Sequence, residues 1–506
     1  MNARRVLHSF IDISWAAFLI CLPFTSFPLF EKYLGSIVSP LSAVPLLFLI
    51  LAWFIPYILN HGKIPRESLP LILFTLAAVA SSALAFFIDV PSLKGKNVPD
   101  QEIRALLTLA LGLAFYLTVA SFPKDGEHFN KTLRWINIGG VILILWSLGQ
   151  VYFMIFKSGR LPDWYLQLQG IVSSKTPGLK YILYRLTGLA YEASWVSLQL
   201  MILYIPLWLS STIQSISVFK VRLLRLTVEN ILLVAGFIIF FFTSPRISLI
   251  GLFLVGVFLF WKINQRIHHV MMQWLDTHWH ISFQRAAIAR TGLAVALGIA
   301  MFLLYFSAAF LCVYTIGQHD SRVGLLFKHR LSGEDIKGLV TFNEATYINI
   351  GFQFAFGERV TYWLTSFNVF SDYPWFGVGL GDTGFFFPEK MPAVGLSSVE
   401  IRTLLYKDAS LPNSKSLWFR LLSETGLVGF SLFVSWLVLL WRSAAISTNS
   451  ENRVSRLIAL AGQFSLLAFI AEGLSIDSFA MPYLWIMAGL ISAIGAAFRR
   501  QVKQNA

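Results

Sequence analysis

Long apolar runs separated by short polar connections are the dominant pattern of the chain. They lie near Phe10–Phe30, Ile37–Leu59, Leu69–Phe87, Ile103–Ser121, Leu133–Phe156, Leu189–Ser211, Val228–Phe242, Ile247–Ile263, Thr291–Ile316, Leu417–Trp441, Val454–Leu474 and Ala480–Phe498. A membrane-crossing helix needs about 20 predominantly apolar residues. The pattern therefore predicts an all-α polytopic membrane protein of about twelve transmembrane helices. The first run follows Arg4-Arg5 as a secretory signal would, but no small-residue cleavage site follows it, so it is read as a retained span.

The count depends on whether Val228–Ile263 is one span or two. With two, and both termini cytoplasmic, every inner loop is basic: Lys63/Arg66, Lys124/Lys131/Arg134, Lys220/Arg222/Arg225, Lys262/Arg266/Arg285/Arg290, Arg442/Arg453/Arg456 and Arg499/Arg500/Lys503. That is the loop bias expected of a cytoplasmic face; one merged span would turn the later clusters outward. Pro245 stands where the hairpin must turn. Its arms read as about 16 residues each, about 24 Å of helix, which sets Arg246 at or just beneath the outer interface.

One stretch is not membrane-like, and it divides the chain into spans 1–9 (1–316), a large outer cap (317–416) and spans 10–12 with a cytoplasmic tail (417–506). Within the cap, Val360, Leu364, Phe367 and Ser371 recur at i, i+4, i+7 and i+11. This predicts an amphipathic helix from about Asn343 to Ser371, lying on the membrane and stopped by Pro374. Gly377, Gly379 and Gly381 lack the βαβ context of a dinucleotide fingerprint; they are expected to let backbone pass close to a helix or a ligand.

Composition sharpens the class. The chain of 506 residues is 56% hydrophobic and 13% charged, with mean hydropathy +0.67. Soluble proteins carry about 25% charged residues, so a soluble domain is excluded. Net charge +14 is accounted for by the inner loops, and no nucleic-acid partner is inferred. Cys21 and Cys312 lie in apolar runs and are read as packing residues. His268, His269, His278 and His280 with Asp276 match no standard metal spacing and read as a solvated inner segment.

The topology puts Arg185, Arg246 and Arg359 on the outer face, each near the start of an apolar helix. Charge at such depth is costly and usually lines a polar cavity, and arginine is the preferred partner of phosphate. Three independent interfacial anchors are the plainer alternative. Glu192, seven residues after Arg185, is a structural partner for an arginine or a base; Glu424 poses the same choice. Trp363, Trp375, Phe385, Phe386, Phe387 and Trp418 can stack on sugars or serve only as interfacial aromatics.

Four patches together resemble the O-antigen ligase and Wzy-type polymerase superfamily of bacterial envelope glycan enzymes. They are Arg185-Leu186-Thr187-Gly188 with Glu192-Ala193-Ser194; Ser244-Pro245-Arg246; Arg359 through Asp372-Tyr373-Pro374 and Gly377-Val378-Gly379-Leu380-Gly381; and Leu422-Ser423-Glu424-Thr425-Gly426-Leu427-Val428-Gly429-Phe430. Ligases of this group resemble each other in a His-Asn pair upstream of the last patch. Here Lys415-Ser416 stands there without a gap, or Pro412-Asn413 with one, and the histidine is missing.

The resemblance implies a bacterial inner-membrane glycosyltransferase, metal-independent and without a cofactor, with its active site on the outer face. Its substrate would be an undecaprenyl-pyrophosphate-linked glycan, and membrane lipid and a chain-length regulator would be its other partners. The missing histidine favours a polymerase of lipid-linked repeat units over a ligase acting on lipid A-core. A transporter of lipid-linked glycans is the reading from another class; it calls for inverted repeats and broken helices, and the sequence displays neither. The site residues implied are Arg185, Arg246 and Arg359 for pyrophosphate; Glu192, Lys415, Glu358 and His329 as acid or base; and Tyr184, Tyr362, Trp363, Asp372 and Glu424 for substrate.

Overall fold

The computed structural model describes residues 3–29, 31, 37–157, 161–173, 185–243, 246–278, 283–319, 321–328 and 330–505. The fold is helical, with one two-stranded hairpin, β1 (Arg222–Leu223) and β2 (Leu226–Thr227). Tyr184, His329 and Pro245 lie outside the described residues.

Each predicted run coincides with a helix. The first nine helices are α1 (Ala3–Ile20), α2 (Ala43–Leu59), α3 (Ser68–Ala85), α4 (Val98–Ser121), α5 (Gly126–Phe156), α6 (Asp163–Val172), α7 (Ala193–Gln214), α8 (Val228–Phe242) and α9 (Arg246–His278). Then follow α10 (Phe283–His319), α11 (Ser321–Lys328), α12 (Gly333–Val340), α13 (Glu344–Gln353), α14 (Gly357–Asp372), α15 (Val399–Tyr406), α16 (Leu417–Ser447), α17 (Arg453–Glu472) and α18 (Pro482–Asn505). Among the described residues nine helices are long and apolar enough to cross a membrane, and α2 and α8 are shorter apolar helices. The first run ends early because Leu22-Pro23 disfavours further helix.

The chain forms two units: Met1–Ser248 with Thr361–Ala506, and Leu249–Val360. In the first, α16, α17 and α18 pack with α3, α4 and α7 around buried Trp436, Tyr116, Trp208 and Tyr483. Polar contacts between its loops sort to two ends. At one end Arg499 grips Glu67 through two hydrogen bonds of 2.7 and 2.8 Å, and Lys124 lies over the Tyr57 ring. At the other, Tyr191 N–H donates to Thr25, Tyr483 to Leu22 O, and Lys94 to the carbonyls of Leu404 and Ser410. Loops expected on the same side thus meet one another. In the second unit α9 and α10 pair through Tyr305, whose hydroxyl donates to Phe253 O, and a capping box between Ser332 and Asp335 starts α12.

Three expectations are corrected. The second arm of the hairpin is not short: α9 runs 33 residues to His278. The cap's amphipathic helix is two helices, α13 and α14, parted at Ala355 (φ 56°); Gly357 follows, where a Cβ would stand 2.2 Å from the Phe352 ring. The buried face of α14 is also not the predicted one. Thr361, Tyr362, Thr365, Ser366 and Val369 are buried, whereas Phe367 and Ser371 are exposed. Thr365 and Ser366 return their hydroxyls to the carbonyls of Thr361 and Tyr362, and Ser366 Oγ also bonds Ser414 Oγ at 2.8 Å, so both enter a core with their polar atoms satisfied.

α16 supplies what the apolar pattern hides. It is broken at Gly426 (φ 61°, ψ −166°). The gap in its hydrogen-bond ladder is filled by the glycine segment after α14. Leu427 and Val428 donate to Pro374 O and Trp375 O, while Val378 and Gly379 donate to Ser423 O and Glu424 O. A Cβ on Gly377 would lie 2.4 Å from the Glu424 carbonyl carbon, and one on Gly426 2.3 Å from Trp375. The glycines therefore serve close approach of backbone to helix, as expected.

Candidate functional site

The last carbonyls of a helix have no partner within it. At the end of α8 they are taken by the segment ahead of α7: Leu186 N–H donates to Phe242 O (3.1 Å) and Arg185 Nε to Thr243 O (3.0 Å). Arg246 opens α9 three residues further on, and Ser248 Oγ donates to Ser197 Oγ of α7 at 3.0 Å. Gly188 (φ 54°) turns the intervening chain, its N–H bound by Gln150 and its carbonyl by Gln150 and Gln169.

Glu192 is the residue at the N-cap of α7, where the helix dipole favours a carboxylate. Its Oε2 accepts from Ser194 Oγ at 3.2 Å. Arg185, bonded to the C-cap of α8, Glu192 at the N-cap of α7 and Arg246 at the start of α9 all belong to the first unit. All three are half-buried, which leaves them part of their hydration and part of the low-dielectric environment.

Glu358 and Arg359 occupy the first turn of α14, in the second unit, and both are half-buried. Tyr362 is 1% exposed, packs with Phe387, Ile401 and Leu405, and donates to Glu400. Trp363 stacks on Phe419, with ring centroids 5.8 Å apart. Asp372 pairs with Lys390 at an exposed site. Lys415 takes a left-handed turn (φ 50°) immediately before Ser416, whose hydroxyl, with Leu417 N–H, donates to Gly473 O at the end of α17. Of the alternative pair, Pro412 is buried against Gly384 and Asn413 is exposed.

Glu424 is buried and bonded by Arg420 Nε at 2.8 Å. Arg420 also donates to Asp477 O and lies over the Phe479 ring. Sequence reasoning passed over Arg420; its position four residues before Glu424 is the signal that finds it. It also passed over Asp382 and Glu102, buried carboxyls on segments far apart in the chain. An apolar cavity bounded by Leu198, Leu417, Phe479 and Tyr483 lies beside Arg420's partner ring and offers no charge of its own.

Fold and site define a multi-pass helical membrane protein with arginines gathered at helix ends. Residues 231–434 match the model of the O-antigen ligase family (Wzy_C), and this match supports the O-antigen ligase/Wzy superfamily. The segment runs from α8 past the break in α16 and includes Arg246, Arg359, Lys415 and Glu424. Reticulon-like protein B15 of Arabidopsis thaliana is 27% identical over 140 residues, 26% of this chain and 72% of that protein.

Proposed function

We propose that the protein is a membrane glycan polymerase. It transfers an undecaprenyl-pyrophosphate-linked oligosaccharide to another lipid-linked repeat unit and releases undecaprenyl pyrophosphate. The observation that carries this reading is the fastening of Arg185 to Thr243, directly ahead of Arg246. Guanidinium groups at helix ends suit a pyrophosphate, and Arg359, in the first turn of α14, is the third candidate.

In the reaction a sugar hydroxyl attacks the anomeric carbon, the bond from that carbon to the pyrophosphate oxygen breaks, and the pyrophosphate leaves with the electron pair. Charge grows on the leaving group, and preorganised cations stabilise it without reorganising. The hydroxyl proton passes to a base. Glu192, at the N-cap of α7, Lys415, Glu358 and His329 are the candidates, and Tyr184, Tyr362, Trp363, Asp372 and Glu424 are the substrate-side candidates. Cytoplasmic termini, an outer-facing site in the inner membrane, and a chain-length regulator as partner belong to the same proposal.

The family's description as O-antigen ligase supports the second reading, transfer to lipid A-core. Lys415-Ser416, in place of His-Asn, supports the first. The break in α16 revives no transporter reading, because its backbone groups are bound by Pro374–Gly379 and do not line a path.

Purified protein given lipid-linked repeat units alone is expected to release undecaprenyl pyrophosphate and build a glycan ladder, lost in Arg185→Ala, Arg246→Ala and Arg359→Ala. Product that forms only when lipid A-core is added overturns the polymerase reading in favour of the ligase. A reporter fused after Thr341 is expected to behave as exported; a cytoplasmic signal there overturns the sidedness.

A further inference from the structure

Asp382 ends the glycine segment that fills the break in α16, and Glu102 lies in the first turns of α4. They meet at Gly379, where a Cβ would stand 2.7 Å from Asp382 Oδ2 and 3.0 Å from Glu102 Oε1. Asp382 is 0% exposed and Glu102 4%. No N–H or O–H of a described residue reaches either Asp382 oxygen or Glu102 Oε1. A hydrogen bond between these two neighbouring carboxyls requires a proton that one of them carries itself.

We infer that Glu102 and Asp382 form a proton-binding site, in which one proton is shared by two buried carboxyl groups and joins the glycine segment to α4. Two adjacent buried carboxylates cannot both ionise cheaply. Ser82 hydrogen-bonds Glu102, and the surroundings of Asp382 offer no relief. The charged groups acting on Asp382 are Glu102 from α4 and Glu424 from α16, both negative, and Arg420 is already committed to Glu424. From α3 the neighbour is Ser82, which accepts from Leu380 N–H and carries no charge. Burial, then the charges of Glu102 and Glu424, push the Asp382 carboxyl up to about 9. Among the described residues no group of three or more His, Cys, Asp or Glu is arranged to hold a metal ion, so the cation assigned here is a proton.

The joint is built around this pair. Ser81 Oγ donates to both Phe376 O and Glu424 O, and Ser82 holds Leu380. Gly381 stands so close to α4 that a Cβ would meet Ala105 at 3.0 Å. When the proton is bound, the pair is a hydrogen bond between a carboxylic acid and a carboxylate. When it leaves for solvent, two anions face each other in a site that excludes water, and the segment loses that link to α4. This inference stands on the geometry of the pair and not on the proposed glycan chemistry.

The test is infrared spectroscopy of the purified full-length chain in detergent, reading the carbonyl stretch of protonated carboxylic acids. At neutral pH one such group is expected in the natural protein; Asp382→Asn and Glu102→Gln each remove the neighbouring charge and supply an amide donor, so the remaining carboxyl is expected to lose its proton at lower pH than in the natural protein. In the natural protein it is expected to disappear around pH 9. A signal whose titration is unchanged in either variant assigns the proton to the remaining residue alone and overturns the shared site. Should either variant not fold, the titration of the natural protein decides. A protonated carboxyl lost near pH 9 supports the pair, and no protonated carboxyl at neutral pH overturns it.

Discussion

The guanidinium Nε of Arg185 donates to the carbonyl of Thr243 over 3.0 Å, which locks the loop before α7 onto the end of α8. One arginine nitrogen thus orients the rest of the planar group at the end of α8. Replacing Arg185 by alanine is expected to lower turnover by about 10²-fold or more, by analogy with the loss of one preorganised donor. Arg246→Ala should do the same. Steady-state kinetics on lipid-linked substrate checks this, with the loss falling on kcat and not only on KM. Arg185→Lys should rescue little, since an ammonium lacks the fork that holds Thr243 and an anion together.

Arg420 and Glu424 test a different property. Both are largely buried, and the pair is completed by the Asp477 carbonyl and the Phe479 ring. Arg420→Met strands a buried carboxylate and should cost about 3–5 kcal/mol. The double variant Arg420→Met with Glu424→Leu removes both charges and should regain most of that. Thermal unfolding in detergent of the two single variants and the double variant measures the coupling.

Gly426 should tolerate no side chain. Its φ and ψ lie in a region open essentially to glycine, a cost of about 1–3 kcal/mol for any other residue. A Cβ would in addition press on the Trp375 carbonyl at 2.3 Å. Gly426→Ala is expected to destabilise by more than that conformational cost alone. Gly170→Ala, where nothing lies within 4 Å, is the control and should be neutral or slightly stabilising.

Asp382 gives the folded state a pH dependence of definite sign. Its folded carboxyl titrates at about 9, against about 3.9 in an unfolded chain. Between these values the folded protein binds the extra proton, so stability must fall as pH rises, by up to about tenfold in the unfolding constant per pH unit. The contribution is complete below about pH 4 and gone above about 9. Unfolding midpoints across this range should fall less steeply in Asp382→Asn than in the natural protein.

The sequence by itself determined the class of fold, a bundle of apolar helices. Apolar runs and basic clusters are local statistics, and a membrane-spanning helix must satisfy its own backbone, so length and composition suffice to find it. Arg185, Arg246 and Glu192 were legible for the same reason, as charges placed at the ends of such runs. Only the tertiary structure decided the rest. The break at Gly426 is invisible in an apolar run because its replacement donors and acceptors come from Pro374–Gly379, some fifty residues earlier. Thr365 and Ser366 count as polar in a periodicity, yet they bury by bonding their own helix and, for Ser366, also Ser414. Glu102 and Asp382 are unremarkable in the chain; they become a pair only because a glycine turn without side chains lets Asp382 reach α4.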